Sequence, residues 1–343
     1  MLIFTDKGIY CPKGDFYIDP WKPVHRAVIT HAHSDHARAG SENYLCHRLT
    51  KPLLQWRLGN YSYQSLEWGE AIFINGVKLS LHPAGHIIGS SQVRIEEEGK
   101  VWVVSGDYKT EDDGLSGAFE SVPCNVFITE STFGLPIYRW KPQQDIFYDI
   151  QNWILKNQSA GKNSVLIAYS LGKAQRLLLC LKTLAAPVFV HGAIYNIHEA
   201  LTGAGVQLPE VTRITPDIKK DSFKEAIIIA PPGAEGSTWM NRLTPYSVGI
   251  CSGWMQVRGN RRRRNADEGF ALSDHADWNG LLQAIKTTGA EKVYSTHGYQ
   301  STMTRYLNEQ GIEAAEVKTE FGDELETADE IKEVANPEEN NNP

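Results

Sequence analysis

The first 140 residues alternate between short apolar runs and turns containing Gly and Pro, a texture that predicts strands rather than long helices. Arg26–Thr30 is an apolar run that stops at a cluster of histidines. Val77–His82 alternates apolar with polar positions, as does Val93–Glu96, and Lys100–Val104 returns after a turn at Glu98 and Gly99. From about Pro142 the texture shifts to βα alternation. Apolar positions across Asp145–Leu155 have helical spacing, while Ser164–Ala168 predicts a strand and Gly172–Cys180 the apolar-faced helix that follows it. Pro187–Val190 and Ala226–Ala230 are continuous apolar runs of the kind buried on both faces of a parallel sheet. Strand–helix units containing His275 and His297 come next. Ala335–Pro343 is a polar tail expected to be disordered.

With 343 residues the chain is long enough to bury a substantial core in one large domain or two medium ones. Its 41% hydrophobic and 22% charged residues are ordinary for a globular protein. No apolar run is long enough to span a bilayer, and Met1–Asp6 lacks a basic-then-apolar export signal, so a cytoplasmic protein without membrane association is expected. The five cysteines are scattered with no Cys-x-x-Cys pair and read as small buried hydrophobes. A net charge of -7 excludes a uniformly basic nucleic-acid coat but leaves room for a local basic groove.

The chemistry concentrates in Thr30-His-Ala-His-Ser-Asp-His36. His31 and His33 are two apart, so on an extended segment they point the same way, and Asp35 and His36 can face a second point nearby. Three imidazoles and a carboxylate are the donors that zinc or manganese prefers. Further ligands are expected at loops after strands. His86 lies between Gly85 and Gly89, Asp107 closes Val103-Val-Ser-Gly-Asp107, and His297 closes Ser295-Thr-His297. Ser252–Arg264, with Trp254, Arg258 and Arg261, Arg262, Arg263 and Arg264, is the most basic stretch of an acidic protein. It runs just ahead of Leu272-Ser-Asp-His275-Ala-Asp277, which favours contacts with a nucleic-acid backbone, while Trp254 fits a base-stacking residue and a buried aromatic equally.

Taken together, these motifs resemble the metallo-β-lactamase superfamily and its nucleic-acid-processing β-CASP branch, over nearly the whole chain. The resemblance implies an α/β chain: a metallo-β-lactamase αββα sandwich with an inserted α/β β-CASP domain. Its parts would be 1–138 and 269–332 for the sandwich, 139–268 for the insert and 333–343 for the tail. It implies two divalent metal ions, zinc or manganese. One would be held by His31, His33, His86 and Asp107, the other by Asp35, His36, Asp107 and His297, with Asp19 orienting ligands from behind. Ile128-Thr-Glu130-Ser-Thr-Phe-Gly134 looks like the acidic β-CASP motif and Leu272–Asp277 like the second motif. Glu130 would keep His275 protonated and aimed at a phosphate oxygen or leaving group, with Asp35 also at the reacting centre. Tyr169–Arg176 resembles a β-CASP strand-to-helix segment where Ser170, Lys173 and backbone amides hold a terminal phosphate.

The arginine-rich passage is similar to that of bacterial ligase-associated DNA exonucleases, which are related to Artemis-type repair nucleases. That similarity implies a DNA exonuclease of 5′-to-3′ polarity, acting on single strands or ends, with an ATP-dependent DNA ligase and a helicase as functional partners. His297 at the third β-CASP motif is the commoner pattern in RNA-cleaving relatives, so a ribonuclease is the main alternative. A non-catalytic nucleic-acid-binding subunit is the reading from another class; it would require lost ligands, and every ligand position here is filled.

Overall fold

In the computed structural model of the protein, residues 1–184, 186–257 and 266–317 are described. Among them the chain divides into two units, Met1–Arg139 with residues 274–317, and Trp140–Ser273. Both combine sheets with helices, so the chain is α/β.

The first unit contains two sheets. One runs in chain order through β1 (Ile3–Thr5), β2 (Gly8–Cys11), β3 (Phe16–Ile18), β4 (Arg26–Val28), β5 (Asn43–His47) and β6 (Ser62–Leu66). Helix α1 (Thr50–Leu58) connects β5 to β6. The other sheet is built from β7 (Ala71–Ile74), β8 (Val77–Pro83), β9 (Ser91–Glu97), β10 (Lys100–Val104) and β11 (Val126–Glu130), with β18 (Lys292–Thr296) beside β11 and β19 (Glu313–Glu316) beside β18. Along β8 the side chains of Val77, Leu79 and Leu81 are fully buried. They share one apolar cluster with Ile18, Val28 and Leu45 of the first sheet, so the two sheets stack face to face. Period-two patterning makes this possible, because alternate residues leave the strand on opposite sides. On the far face Val103, Phe127 and Val293 pack against Trp278 and Leu281 of α5 (Trp278–Thr288) and Met303 of α6 (Gln300–Glu309). Asp277 caps α5 by accepting from Gly280 N at 2.8 Å, and Gly289 ends it in the left-handed conformation.

The second unit is organised on an all-parallel sheet of order β14-β13-β15-β12-β16-β17. These strands are β12 (Asn163–Ile167), β13 (Val188–Val190), β14 (Thr212–Arg213), β15 (Ile227–Ala230), β16 (Tyr246–Cys251) and β17 (Glu268–Phe270). Its helices are α2 (Gln143–Ser159), α3 (Lys173–Leu181) and α4 (Gly192–Gly203). Every residue of β12 and β15 is buried, as the apolar run of β15 and Val165–Ile167 of β12 require. Each of the isoleucines in β15 contributes roughly 1.5–3 kcal/mol by leaving water.

The strands and helices read from periodicity recur with shifted ends. Helix α2 is longer than Asp145–Leu155, and β4 stops at Val28 rather than Thr30. Thr30 leaves the ladder because its N–H is taken by the Asp19 carboxylate at 2.8 Å. No described helix is long and apolar enough to cross a membrane.

Candidate metal centre

Three loops bearing candidate ligands, and the end of the strand that carries Glu130, lie at the same end of the second sheet. β9 is antiparallel to both β8 and β10, so β8 and β10 run the same way, and β10, β11 and β18 are parallel neighbours. The loop after β8 brings His86, that after β10 brings Asp107, β11 ends in Glu130, and β18 is followed by His297. The histidine loop after β4 joins them from the first sheet, tied across by Ser91 N donating to Thr30 O at 2.9 Å.

The ligand atoms of His31, His33, His86 and Asp107 lie within 4.8 Å of one another. His86 Nε2 is 3.1 Å from His33 Nδ1, and Asp107 Oδ2 is 3.5 Å from His31 Nε2 and 3.7 Å from His86 Nε2. The other oxygen of Asp107 faces His36 Nε2 at 3.5 Å, and His36, Asp107 and His297 form a further group of the same size. Asp35 Oδ2 stands 3.5 Å from His36 Nε2. One carboxylate thus serves two sets of imidazoles. The Nε2 atoms of His31 and His36 are buried and make no hydrogen bond among the described residues. A buried polar atom without a partner costs roughly 1–3 kcal/mol, so converging ones call for an occupant, and imidazole with carboxylate fits a divalent cation.

The ring orientations have identifiable causes. Asp19 accepts from Thr30 N at 2.8 Å, from Thr30 Oγ1 at 2.6 Å and from His36 Nδ1 at 2.7 Å. His86 donates Nδ1–H to Asp274 O at 2.8 Å, which leaves its Nε2 with a lone pair. Asp19 and His297 both adopt positive φ, 43° and 53°, a conformation that non-glycine residues hold only when the surroundings enforce it. Burial pushes the pKa values of His31 and His86 well below the ordinary imidazole value, keeping them neutral as ligands must be. Burial acts the same way on His36, but the carboxylates of Asp107 and Asp35 outweigh it and raise its proton affinity. Burial alone would raise Asp107, yet the charge of His36 beside it holds its carboxyl well below the usual range.

Glu130 and His275 form a hydrogen-bonded pair beside this cluster. His275 Nδ1 lies 2.9 Å from Glu130 Oε2 and 3.1 Å from Oε1, while Tyr108 N donates to Oε1 at 2.7 Å. Burial works against charge on His275, but the Glu130 carboxylate overrides it and lifts the pKa to about 9. The ring lies 4.5 Å from that of His86, so the pair borders the metal ligands. His275 itself sits in the loop ahead of α5 rather than within the helix.

Ser170, Lys173 and Trp254 lie in the second unit, after β12 and β16. Ser170 is buried and its Oγ has no hydrogen-bond partner among the described residues, and Lys173 Nζ stands 4.4 Å over the Tyr169 ring. Trp254 N is held by Ser252 Oγ at 3.4 Å in a short 3-10 turn. Arg258, Arg261, Arg262, Arg263 and Arg264 lie outside the described residues. Sequence reasoning missed Thr30 as the hub of the Asp19 bonds, the Asp274 carbonyl behind His86, and the Tyr108 amide behind Glu130. The last two are backbone groups and leave no signature in residue identity.

No protein-family model matches the chain. A protein of Opitutus terrae named "Probable DNA ligase" is 29% identical over 90% of this chain, which spans only 30% of that relative. "RNase aCSPSF2" of Saccharolobus solfataricus is 27% identical over 41% of this chain and 30% of its own length. "Endoribonuclease ysh1" of Schizosaccharomyces pombe is 29% identical over 71% of this chain and 38% of its own. These similarities agree with the β-CASP metallo-β-lactamase resemblance carried by the motifs. A solved structure from Enterococcus faecalis V583, titled a protein of unknown function, shares this chain's fold with a TM-score of 0.60 at 13% identity. That match covers 87% of this chain and 80% of the other.

Proposed function

We propose that this chain is a β-CASP two-metal phosphodiesterase, a 5′-to-3′ DNA exonuclease working in end processing and repair in the cytoplasm. In this reading the first unit is the αββα sandwich, which its stacked sheets flanked by helices support, and the second is the β-CASP insert. The observation that carries the activity is Asp107 facing two histidine groups, with the Glu130–His275 pair beside them. His31, His33, His86 and Asp107 would hold one cation; Asp35, His36, Asp107 and His297 would hold the other. When bound, divalent cations supply Lewis acidity that eases proton loss from water near neutral pH and offsets charge on a phosphate.

The remaining work falls to side chains. His275, kept protonated by Glu130, places a positive N–H donor where a phosphodiester oxygen or the leaving oxygen needs it. In the second unit Ser170, Lys173 and the first amides of α3 offer donors for a terminal phosphate, and Trp254 a stacking surface. Arg258 and Arg261–Arg264 supply backbone-phosphate charge in this reading.

DNA is favoured because the relative named a DNA ligase matches 90% of this chain, more than either RNA enzyme described above. A DNA ligase, with a helicase, is accordingly the proposed functional partner. Ribonuclease action is the second reading, favoured by His297 at the third motif and by the names of those RNA enzymes. A time course on end-labelled single- and double-stranded DNA and RNA, with and without 5′-phosphate, in zinc or manganese separates them. Mononucleotide release from DNA 5′ ends is expected. Rapid RNA cleavage with inert DNA would sink the proposal, and binding without turnover would mark a non-catalytic subunit.

A further inference from the structure

Helix α1 carries no ligand, yet it touches both loops that supply His31, His33 and His86. Its core side, Leu53 and Leu54, is fully buried, and Tyr63 Oη of the adjacent β6 donates to Gly59 O at 2.9 Å just past its C-terminus. The helix is therefore located by the core, independently of the metal loops. At its C-terminal end Arg57 donates from Nη1 to Ala32 O and from Nη2 to Ala37 O at 3.4 Å. Those two carbonyls bracket His33, Ser34, Asp35 and His36. At its N-terminal end Thr50 donates Oγ1–H to Gly89 O at 2.8 Å, closing the loop that carries His86. Gly89 has φ +81°, and a Cβ there would lie 2.7 Å from Thr50 N and Oγ1, so the His86 loop rests directly on the first turn of the helix.

We propose that α1 is a brace between the two ligand loops, with Arg57 and Thr50 as its positioning residues. The proposal rests on the metal reading above. Carbonyl oxygens at both ends of a six-residue arc, held by one planar guanidinium, fix the arc's width, and with it the separation of the imidazoles it carries. A guanidinium can do this because its N–H donors form a rigid fork; a lysine ammonium is a single point. The Thr50 contact does the same for His86 with one bond. Each end of a rigid helix thereby sets one part of a donor set whose atoms must agree to within about 0.5 Å.

The test is a cobalt titration of the full chain, wild type against Arg57→Ala, Arg57→Lys and Thr50→Val. The visible bands of the bound ion are followed, together with thermal melts of the metal-free proteins. Arg57→Ala is expected to weaken cobalt binding about 10- to 100-fold, the range for loss of groups supporting metal ligands, and to shift the bands. Arg57→Lys should recover part of the affinity. Thr50→Val should weaken only one of the two bound equivalents. An Arg57→Ala protein with wild-type affinity and bands overturns the brace, even if it melts earlier, because that pattern marks a packing role only. Should Arg57→Ala fail to fold, Arg57→Lys and Thr50→Val decide by the same criteria. A wild-type protein that binds no cobalt would overturn the metal reading itself.

Discussion

Replacing Asp19 by Asn tests whether the centre depends on a carboxylate that touches no cation. The substitution keeps shape and volume and changes only hydrogen-bond sense. In the native loop the two Asp19 oxygens accept three bonds of 2.6–2.8 Å, two from Thr30 and one from His36 Nδ1. An Asn oxygen can keep the bond to Thr30 N, but its amide then points N–H groups at Thr30 Oγ1 and His36 Nδ1. The hydroxyl can rotate and accept. His36 can accept only by moving its proton to Nε2, the atom that faces Asp35 and Asp107, and a protonated Nε2 cannot ligate. The structure thus sets one bond to a charged acceptor, worth about 1.5–3 kcal/mol, against cation binding at His36. At 1.4 kcal/mol per decade this is roughly a 10- to 100-fold loss of affinity. The assay is zinc titration in competition with a chromophoric chelator, which resolves two equivalents. One equivalent should weaken by that factor, with the other nearly unchanged and the fold intact by circular dichroism. Two cations bound at wild-type affinity would refute the argument that Asp19 selects the His36 tautomer.

Three further outcomes follow from the geometry. Glu130→Gln removes the charge that keeps His275 protonated, and turnover at pH 7 should fall by about 100-fold or more while both cations remain bound; steady-state kinetics beside metal analysis check this. Gly298→Ala would place a Cβ 2.3 Å from Ser131 O at a residue whose φ is +65°, so the loop carrying His297 must move. A melting temperature within a degree or two of wild type, with full metal content, would contradict that close approach. His47 stacks on Trp68 at 4.2 Å, and burial lowers its pKa from 6.5 to about 4. Between those values the unfolded chain takes up a proton that the folded chain refuses. Stability from this residue is therefore full above pH 6.5 and falls by up to about 3 kcal/mol as pH drops through 4. His47→Asn should flatten the decline of melting temperature between pH 7 and pH 4.5, and an unchanged slope would refute the assignment.

Period and composition determined most of the element list, and the residues that gather into the candidate centre were legible in the motif His31–His36 with His86, Asp107 and His297. The reason is physical: strands buried on one or both faces must write their burial into the residue pattern, and cation ligands come from few residue types. Three things were decided only by tertiary structure. Strand direction across β8, β10, β11 and β18 brought residues up to 211 positions apart, from His86 to His297, to one end of the second sheet. Orientation came from backbone groups, the Asp274 carbonyl behind His86 and the Tyr108 amide behind Glu130, which any residue at those positions presents equally. The brace across α1 likewise joins Arg57 to the carbonyls of two alanines, whose side chains announce nothing. Side-chain chemistry is local and shows in sequence; the aim of that chemistry is set by distant main-chain atoms, and only folding reveals it.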